Sequence, residues 1–194
     1  MTIDEFLSNV ASESDRVEER DVHIPDPVLV EEMKRRGGMV VADYLRDPRK
    51  VTERRTMRWG HRLGPPLAAE DVRSWQARFP HHVLPPDLSA MLLRVNGIHL
   101  WADLEAGRAY EGLAPLAEWE VARTKMYGAT AEPDLLSEKY LALTYHADNA
   151  AFVVLDPERG TYYLMDSAGA DESCRVGQSV EDLLDYLWRH RLSP

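Results

Sequence analysis

Apolar residues recur at helical spacing in three stretches of the C-terminal two thirds of the chain. The first comprises Val72, Trp75 and Phe79, which lie three and four residues apart and predict a helix that ends at Pro80. The second predicts a helix with its apolar face at Leu88, Met91, Leu92 and Val95. The third predicts a C-terminal helix whose apolar face carries Val180, Leu183, Leu184, Leu187, Trp188 and Leu192.

Residues typical of helix ends bound these stretches. Pro86-Asp87 suits the first turn of the second helix, and Asn96-Gly97 suits the left-handed cap that closes it. Ser179, with Asp182 three residues later, marks the start of the C-terminal helix as a capping pair. A further helix is predicted from the spacing of Leu116, Trp119, Ala122 and Met126.

Three short runs, residues 140–145, 151–155 and 161–165, have the composition of β-strands. The last two flank the sequence Asp156-Pro157-Glu158-Arg159-Gly160. Asp followed by Pro opens a type I turn, and Gly160 supplies the positive φ that closes a hairpin. The sequence therefore predicts a β-hairpin whose turn spans residues 156–160.

The N-terminal third has weaker patterns. Residues 1–20 are expected to form a mobile arm with one helical turn around Phe6 and Leu7. Asp26-Pro27 predicts the start of a helix over residues 26–36, and a second short helix is predicted over residues 40–46. The breaker Gly64-Pro65-Pro66 places a boundary between an N-terminal extension, residues 1–66, and a C-terminal domain, residues 67–194.

The order of these elements indicates an α+β fold. No alternation of strand, helix and strand occurs, which disfavours a doubly wound parallel sheet. We expect a mixed or antiparallel sheet of about four to six strands with helices packed on one face, plus a helical N-terminal extension.

Charge is distributed unevenly along the 194 residues. Lys and Arg number 23 and Asp and Glu 33, which gives a net charge of −10. The net charge is −5 over residues 1–22, +7 over residues 34–62 and −9 over residues 63–194. This acidity argues against a general nucleic-acid coat and favours a basic partner. The basic stretch, which includes Tyr44 and Trp59, suits a nucleic-acid backbone less well than a solvated helical face paired with the acidic arm.

The same composition bears on location. Cys174 is the single cysteine, so an internal disulfide is excluded and a reducing, cytoplasmic setting is expected. No apolar run approaches the roughly 20 residues that span a bilayer. Residues 1–21 lack the pattern of a signal peptide, and we expect no membrane partner.

Motifs of catalysis and metal binding are absent from the sequence. The seven histidines include no His-Glu-x-x-His motif and no helical pair of ligands. Acidic residues precede Cys174, which suits a half-buried strand residue better than a nucleophile. Four aspartates lie near predicted strand ends: Asp148, Asp156, Asp166 and Asp171. Asp156 and Asp166 are expected to be turn formers, and catalysis by the set is disfavoured. We therefore expect no catalytic residues, no metal and no cofactor.

Three segments of residues 67–194, in this order, resemble the SUKH superfamily, whose members include bacterial toxin-immunity proteins and a yeast regulator of cell-wall synthesis. The first is Leu84-Pro85-Pro86-Asp87-Leu88, whose helix leads to Val95-Asn96-Gly97. The second is Leu113-Ala114-Pro115-Leu116. The third runs from Tyr140-Leu141-Ala142-Leu143 through Asp148-Asn149-Ala150 and the hairpin strands to Ser179-Val180-Glu181-Asp182-Leu183-Leu184.

The resemblance implies a non-catalytic, protein-binding role. The first hypothesis is an immunity protein that binds and neutralises a cognate bacterial toxin, for which a basic domain of the nuclease type would suit an acidic inhibitor. The second is a regulatory scaffold of the same fold that recruits cellular partners. An enzyme is the third hypothesis, which a buried cluster of convergent ionisable groups in a pocket would favour.

Aromatic and polar residues near predicted strand ends are the candidate contacts with such a partner. Trp and Tyr are favoured anchors of protein interfaces, and adjacent residues of a strand point to opposite faces of the sheet. On this basis one of Tyr162 and Tyr163 should be accessible. The residues chosen are Trp101, Tyr145, His146, Asp148, Asn149 and Tyr163.

Overall fold

The computed structural model describes residues 1–24, 28, 31, 51–105, 111–122, 124, 138–144, 152–165 and 174–191. The helices are α1 (Ile3–Ser12), α2 (Ala69–Arg78), α3 (Pro86–Leu92) and α4 (Val180–His190). The strands are β1 (Arg16–Ile24), β2 (Val51–Leu63), β3 (Ile98–Asp103), β4 (Glu111–Leu113), β5 (Glu120–Val121), β6 (Leu141–Ala142), β7 (Phe152–Asp156), β8 (Thr161–Met165) and β9 (Arg175–Gly177).

The described residues form an α+β fold with two antiparallel sheets, which confirms the predicted class. One sheet has the order β1-β2-β3-β4, and the other has the order β5-β6-β7-β8-β9. The sequence predicted one sheet where the structure has two. They meet where Leu113 bridges Thr144 and the backbone N–H of Ala114 donates to the carbonyl of Leu143 over 2.9 Å.

Chain packing divides the molecule into two units. The larger comprises Met1–Asp15 and Trp59–Pro194, and the smaller comprises Arg16–Arg58. In the smaller unit, β1 lies beside the first part of β2, and Arg54 pairs with Glu19 over 2.8 Å.

Strand β2 corrects the prediction that the basic stretch is helical. Residues 51–63 form a strand, in which Met57, Trp59 and His61 alternate with exposed or small residues. The charged residues around them masked that alternation. The ion pair of Glu19 with Arg54 agrees with the expected pairing between the acidic arm and the basic stretch. The predicted helices over residues 26–36 and 40–46 lie outside the described residues, apart from Val28 and Glu31, which are helical and exposed.

The core of the larger unit lies between the helices and one face of the strands. Helices α1 to α4 each contribute to it, with Phe6, Trp75, Leu88 and Leu184 among its buried side chains. The hairpin of β7 and β8 has the predicted turn, in which Gly160 adopts φ 59°. Alternation in the hairpin sends one set of side chains toward the helices and the other toward the opposite face.

Helix α1 corrects the expectation of a mobile arm. The Thr2 hydroxyl accepts the N–H of Glu5 over 3.2 Å, and the Glu5 carboxylate accepts the N–H of Thr2 over 2.8 Å, which completes a capping box. Phe6 is fully buried and meets the Trp188 ring edge-on at 5.8 Å. The arm is therefore a capped amphipathic helix that packs on α4.

The first part of the predicted helix over residues 116–126 is also corrected, whereas Ala122 and Thr124 are helical and residues 123, 125 and 126 lie outside the described residues. Residues Leu116–Glu118 form a single 3-10 turn, and Trp119 is extended. The Trp119 indole donates to the carbonyl of Ala114 over 2.7 Å, and β5 then pairs with β6. Pairing with a sheet edge satisfies the backbone there in place of helical hydrogen bonds.

Helices α2 and α3 form where the sequence predicts them, but α3 is shorter than predicted. It ends at Leu92, so Val95 is buried outside the helix. Gly97 has the expected positive φ, 98°, but it lies five residues after the helix and directly before β3, so its predicted role as the helix cap is wrong. Helix α4 begins with the predicted pair, in which the Ser179 hydroxyl accepts the N–H of Asp182 over 3.2 Å.

Candidate functional site

The structure describes two of the aromatic residues that were predicted to contact a partner, and both are buried. Trp101 in β3 is 5 % exposed and Tyr163 in β8 is 3 % exposed. Tyr163 belongs to an apolar cluster with Phe152, Val154 and Met165 on the face of the second sheet opposite the helices. The expectation that one of the adjacent tyrosines is accessible is wrong, because both faces of β8 are covered. The other four candidates, Tyr145, His146, Asp148 and Asn149, lie outside the described residues.

A buried histidine and two half-buried charged side chains meet where α1, β2 and the end of α4 come together. We call Glu13, His61 and Arg191 the polar cluster. The Nε2 atom of His61 lies 2.8 Å from Oε2 of Glu13, and the Arg191 guanidinium donates to Oε1 of the same carboxylate over 2.7 Å.

Backbone hydrogen bonding assigns the tautomer of His61. The N–H of Trp101 donates to Nδ1 of His61 over 3.1 Å, so Nδ1 accepts and Nε2 carries the proton that it donates to Glu13. Trp101 has φ 48°, a left-handed conformation that is uncommon for a bulky residue. Its ring also contacts the imidazole at a centroid distance of 4.4 Å, so His61 holds both the backbone and the side chain of Trp101.

Hydrogen bonds within the cluster keep the Glu13 carboxylate ionised. Burial raises the pKa of Glu13, but hydrogen bonds from His61 and Arg191 lower it by more, and the pKa lies below its ordinary value. The Arg191 guanidinium also lies 3.5 Å over the Trp188 ring. A general base needs a lone pair free to receive a proton, and both nitrogens of His61 are already engaged. The polar cluster is therefore suited to hold α1, β2 and α4 together.

A second buried carboxylate lies at the hairpin turn. Asp156 is fully buried, and its Oδ1 accepts the N–H groups of Glu158 at 3.2 Å and Arg159 at 3.4 Å. Lys139 donates to Oδ2 over 2.9 Å, and this hydrogen bond raises the pKa of Lys139. The sequence predicted the turn role of Asp156 and missed Lys139, which is remote in sequence.

An open groove lies between α1, α3 and the start of α4. Its volume is about 270 Å³. The lining residues are Ile3, Asp87, Ala90, Met91, Arg94, Val180 and Glu181. The floor is aliphatic and the rim is charged. This groove has the shape of a binding site, because it is concave and open to solvent.

Asp87 and Asp182 hold the start of α4 in place beside the groove. The Asp87 carboxylate accepts the N–H of Leu88 at 2.9 Å through Oδ1 and the N–H of Val180 at 2.8 Å through Oδ2. The Asp182 carboxylate accepts the N–H groups of Gln178 and Ser179, which lowers the pKa of Asp182. Each carboxylate satisfies donors that a helix N-terminus leaves unpaired.

A buried hydroxyl lies near these two carboxylates. Tyr162 is fully buried, and its hydroxyl has no hydrogen-bond partner in the described part of the chain. Burial raises the pKa of Tyr162, and the negative charges of Asp87 and Asp182 raise it further. The phenol therefore stays protonated and acts as part of the core.

Arg94 and Glu181 differ in their surroundings at the rim of the groove. Arg94 donates to Oδ1 of Asp4 over 2.5 Å, so its charge is neutralised by α1. Glu181 is exposed in the first turn of α4. The groove could not be seen in the sequence, because its aliphatic wall includes Ile3, which lies in the segment expected to be mobile. The capping box at Thr2 is the local signal that this segment is a helix.

Histidine and cysteine side chains do not converge in the described residues. No group of three or more His, Cys, Asp or Glu side chains there is placed to hold a metal ion. His82 is buried, and its Nε2 lies 2.9 Å from the carbonyl oxygen of Glu138. His99 is half-buried, and this burial lowers its pKa. Cys174 is half-buried, directly before β9.

No family model matches the chain, and no curated protein matches it. Within the described part of the chain, none of the helices combines the length and the apolar composition needed to cross a bilayer.

Proposed function

We propose that this protein is a non-catalytic immunity protein of the SUKH type that binds and neutralises a bacterial toxin in the cytoplasm. The observation that carries the proposal is the order of its local structures. Helix α3 with its Pro86-Asp87 start, the hairpin of β7 and β8, and the capped helix α4 follow one another as the resemblance implies.

Charge supports a basic partner. The chain has a net charge of −10, of which −9 falls on residues 63–194. A basic toxin domain that acts on nucleic acid would be steered toward this acidic surface. The inhibitor would then occupy the toxin's own groove, which normally binds the phosphates of nucleic acid. A specific complex of this kind buries about 800 Å² on each partner.

The engagement of buried ionisable groups supports a binding role over an enzymatic one. His61 has both ring nitrogens engaged, and Asp156 accepts three donors. These ionisable groups are already occupied by hydrogen bonds within the fold. The open groove, in contrast, has an aliphatic floor and a charged rim, which is the chemistry of an interface pocket.

Co-expression with the toxin tests the proposal. The toxin encoded by the neighbouring gene is expressed with this chain or with an empty vector, and survival and co-purification are measured. We expect survival and a stable complex with this chain alone, and an affinity that falls as salt rises.

Growth arrest in both cultures, together with the absence of a complex, would overturn the immunity role. The regulatory scaffold is the alternative outcome. It predicts no toxin gene beside this one and a cellular protein, in place of a toxin, in the purified complex.

A further inference from the structure

We propose that the groove between α1, α3 and α4 receives an arginine side chain of the partner. This inference rests on the proposed function, because it names the contact that a basic partner would make. In this arrangement the groove binds one side chain of the partner. The methylene groups of the arginine lie on the aliphatic floor, and its guanidinium contacts the Glu181 carboxylate.

The size of the groove suits one side chain. Its volume of about 270 Å³ lies below the roughly 300–1,000 Å³ of pockets that enclose drug-sized ligands. Met91 and Val180 are buried at its floor, and Ile3 is half-buried at its wall. An arginine buries its three methylene groups along such apolar surface while its head stays at the rim.

The charges at the rim favour a cation. The groove region carries the carboxylates of Asp4, Asp87 and Glu181 and the guanidinium of Arg94. The interacting pair of the amino terminus and Asp182 adds equal and opposite charges, so these groups sum to −2. Asp4 already neutralises Arg94. Asp87 accepts one N–H on each oxygen, and each oxygen has a second lone pair. Asp87 and Glu181 are both exposed, but two backbone N–H groups hold the Asp87 carboxylate in place, so Glu181 is the one whose head can turn to meet an incoming cation.

Arginine fits this rim better than lysine. Its planar fork can donate two parallel hydrogen bonds to one carboxylate, whereas an ammonium acts as a point charge. Arginine is also enriched among the few residues that dominate interface energies, and lysine is depleted at interfaces. The occupant is therefore an arginine whose stem lies on Met91 and Val180.

Methyl NMR of the full chain tests the proposal with a defined probe. The probe is the peptide acetyl-Gly-Arg-Gly-amide, and the matched probe carries citrulline, which keeps the shape of arginine and removes its charge. We expect the arginine peptide to shift the methyl signals of Ile3, Met91 and Val180 with a dissociation constant on the order of 1 mM. The citrulline peptide should bind about tenfold more weakly, because a charge-assisted hydrogen bond is lost.

Two variants of the same helix separate the groove from general acidity. Glu181→Gln should weaken the arginine peptide about tenfold. Asp185→Asn removes an equal charge that pairs with Arg189 outside the groove, and should leave the binding unchanged. Equal binding of both peptides, an equal loss in both variants, or shifts at other methyl groups would each overturn the arginine pocket.

The outcomes also separate this inference from the immunity role. Peptide binding at the groove without protection in the co-expression assay keeps the pocket and rejects the toxin as partner. Protection with no peptide shifts at these three methyl groups keeps the immunity role and rejects the pocket.

Discussion

Helices α1 and α4 pack together, and their two ends show opposite uses of charge. Near their C-terminal ends, Glu13 and Arg191 meet His61 in a closed cluster whose His61 side chain is 3 % exposed. Near their N-terminal ends, Ile3 and Glu181 face an open groove. The same two helices thus provide one site that is complete and one that is open to a partner.

The difference shows that the role of a charged side chain depends more on the groups around it than on its residue type. A charge removed from water is tolerated only when other groups satisfy it, so Glu13 and Arg191 are committed to each other. An exposed carboxylate such as Glu181 stays hydrated until a cation displaces the water. The histidine that attracts most attention in the structure is therefore a structural residue, and the plain acidic rim is the better interface candidate.

The largest effect is expected at the closed end. His61→Ala removes the acceptor of the Trp101 N–H and one donor to Glu13, and leaves a cavity beside the Trp101 ring. We expect a loss of about 3 kcal/mol in the free energy of unfolding, measured by urea denaturation. The matched control is His81→Ala, an exposed histidine, which should stay within about 0.5 kcal/mol of wild type.

A change of His61→Ala no larger than that of His81→Ala would show that the polar cluster does not hold α1 and α4. In that case the comparison between the two ends fails. The slope of unfolding against urea serves as a check, because an altered slope would indicate a change in the unfolded state instead.

Sequence signals found those elements whose determinants are local. The hairpin turn at residues 156–160 and the capping pair of Ser179 and Asp182 depend on residues within five positions of each other. Helix α1 carried the same kind of signal in Thr2 and Glu5, with Phe6 and Val10 on its buried face. Its acidic composition led to the expectation of a mobile arm, which the local pattern did not support.

The closed end could not have been predicted, because its members are remote in sequence. Glu13 lies 48 positions from His61 and 178 from Arg191. Periodicity places each of these residues on an element and says nothing of which elements meet. The same limit explains Lys139, whose partner at the turn of β7 and β8 lies 17 positions away.

The aromatic candidates failed for a related reason. Alternation predicts that Tyr162 and Tyr163 point to opposite faces, and they do. It does not predict whether the second face is covered. Trp101 follows the predicted cap at Gly97, but the partner that buries it is His61 on β2, a strand that the charged residues around it concealed.

One carboxylate at the open end, that of Asp87, has a structural role. The open end is therefore not wholly available to a partner. Asp87→Ala removes the acceptor of the Val180 N–H at the start of α4. We expect a loss of about 1 kcal/mol in the free energy of unfolding, as for other helix caps, measured by urea denaturation.

Glu181→Gln is the control for Asp87→Ala, since it leaves the capping contacts intact and should stay within about 0.5 kcal/mol of wild type. Equal losses for Asp87→Ala and Glu181→Gln would mean that the groove is a structural part of the fold throughout.

The smallest effect is a dependence of stability on acid pH at the closed end. Burial raises the pKa of Glu13, but its hydrogen bonds with His61 and Arg191 lower the pKa by more, to below the ordinary 4.5 of the unfolded chain. Between these two values the unfolded state binds more protons, so stability rises with pH. The contribution of Glu13 is complete above its unfolded pKa and is lost as pH falls through the folded pKa.

Glu13→Gln measures this contribution, because glutamine keeps the shape of the side chain and cannot titrate. The difference in unfolding free energy between wild type and Glu13→Gln should be constant above about pH 5.5 and should shrink below pH 4.5. It should be smaller than the effect of His61→Ala, since the Glu13 side chain is 24 % exposed and solvent screens its charge. In the His61→Ala background the same substitution should change the acid slope by less, because one of the hydrogen bonds that lower the pKa is gone. Parallel profiles for wild type and Glu13→Gln down to about pH 3 would show that the closed end gains nothing from the ionised carboxylate.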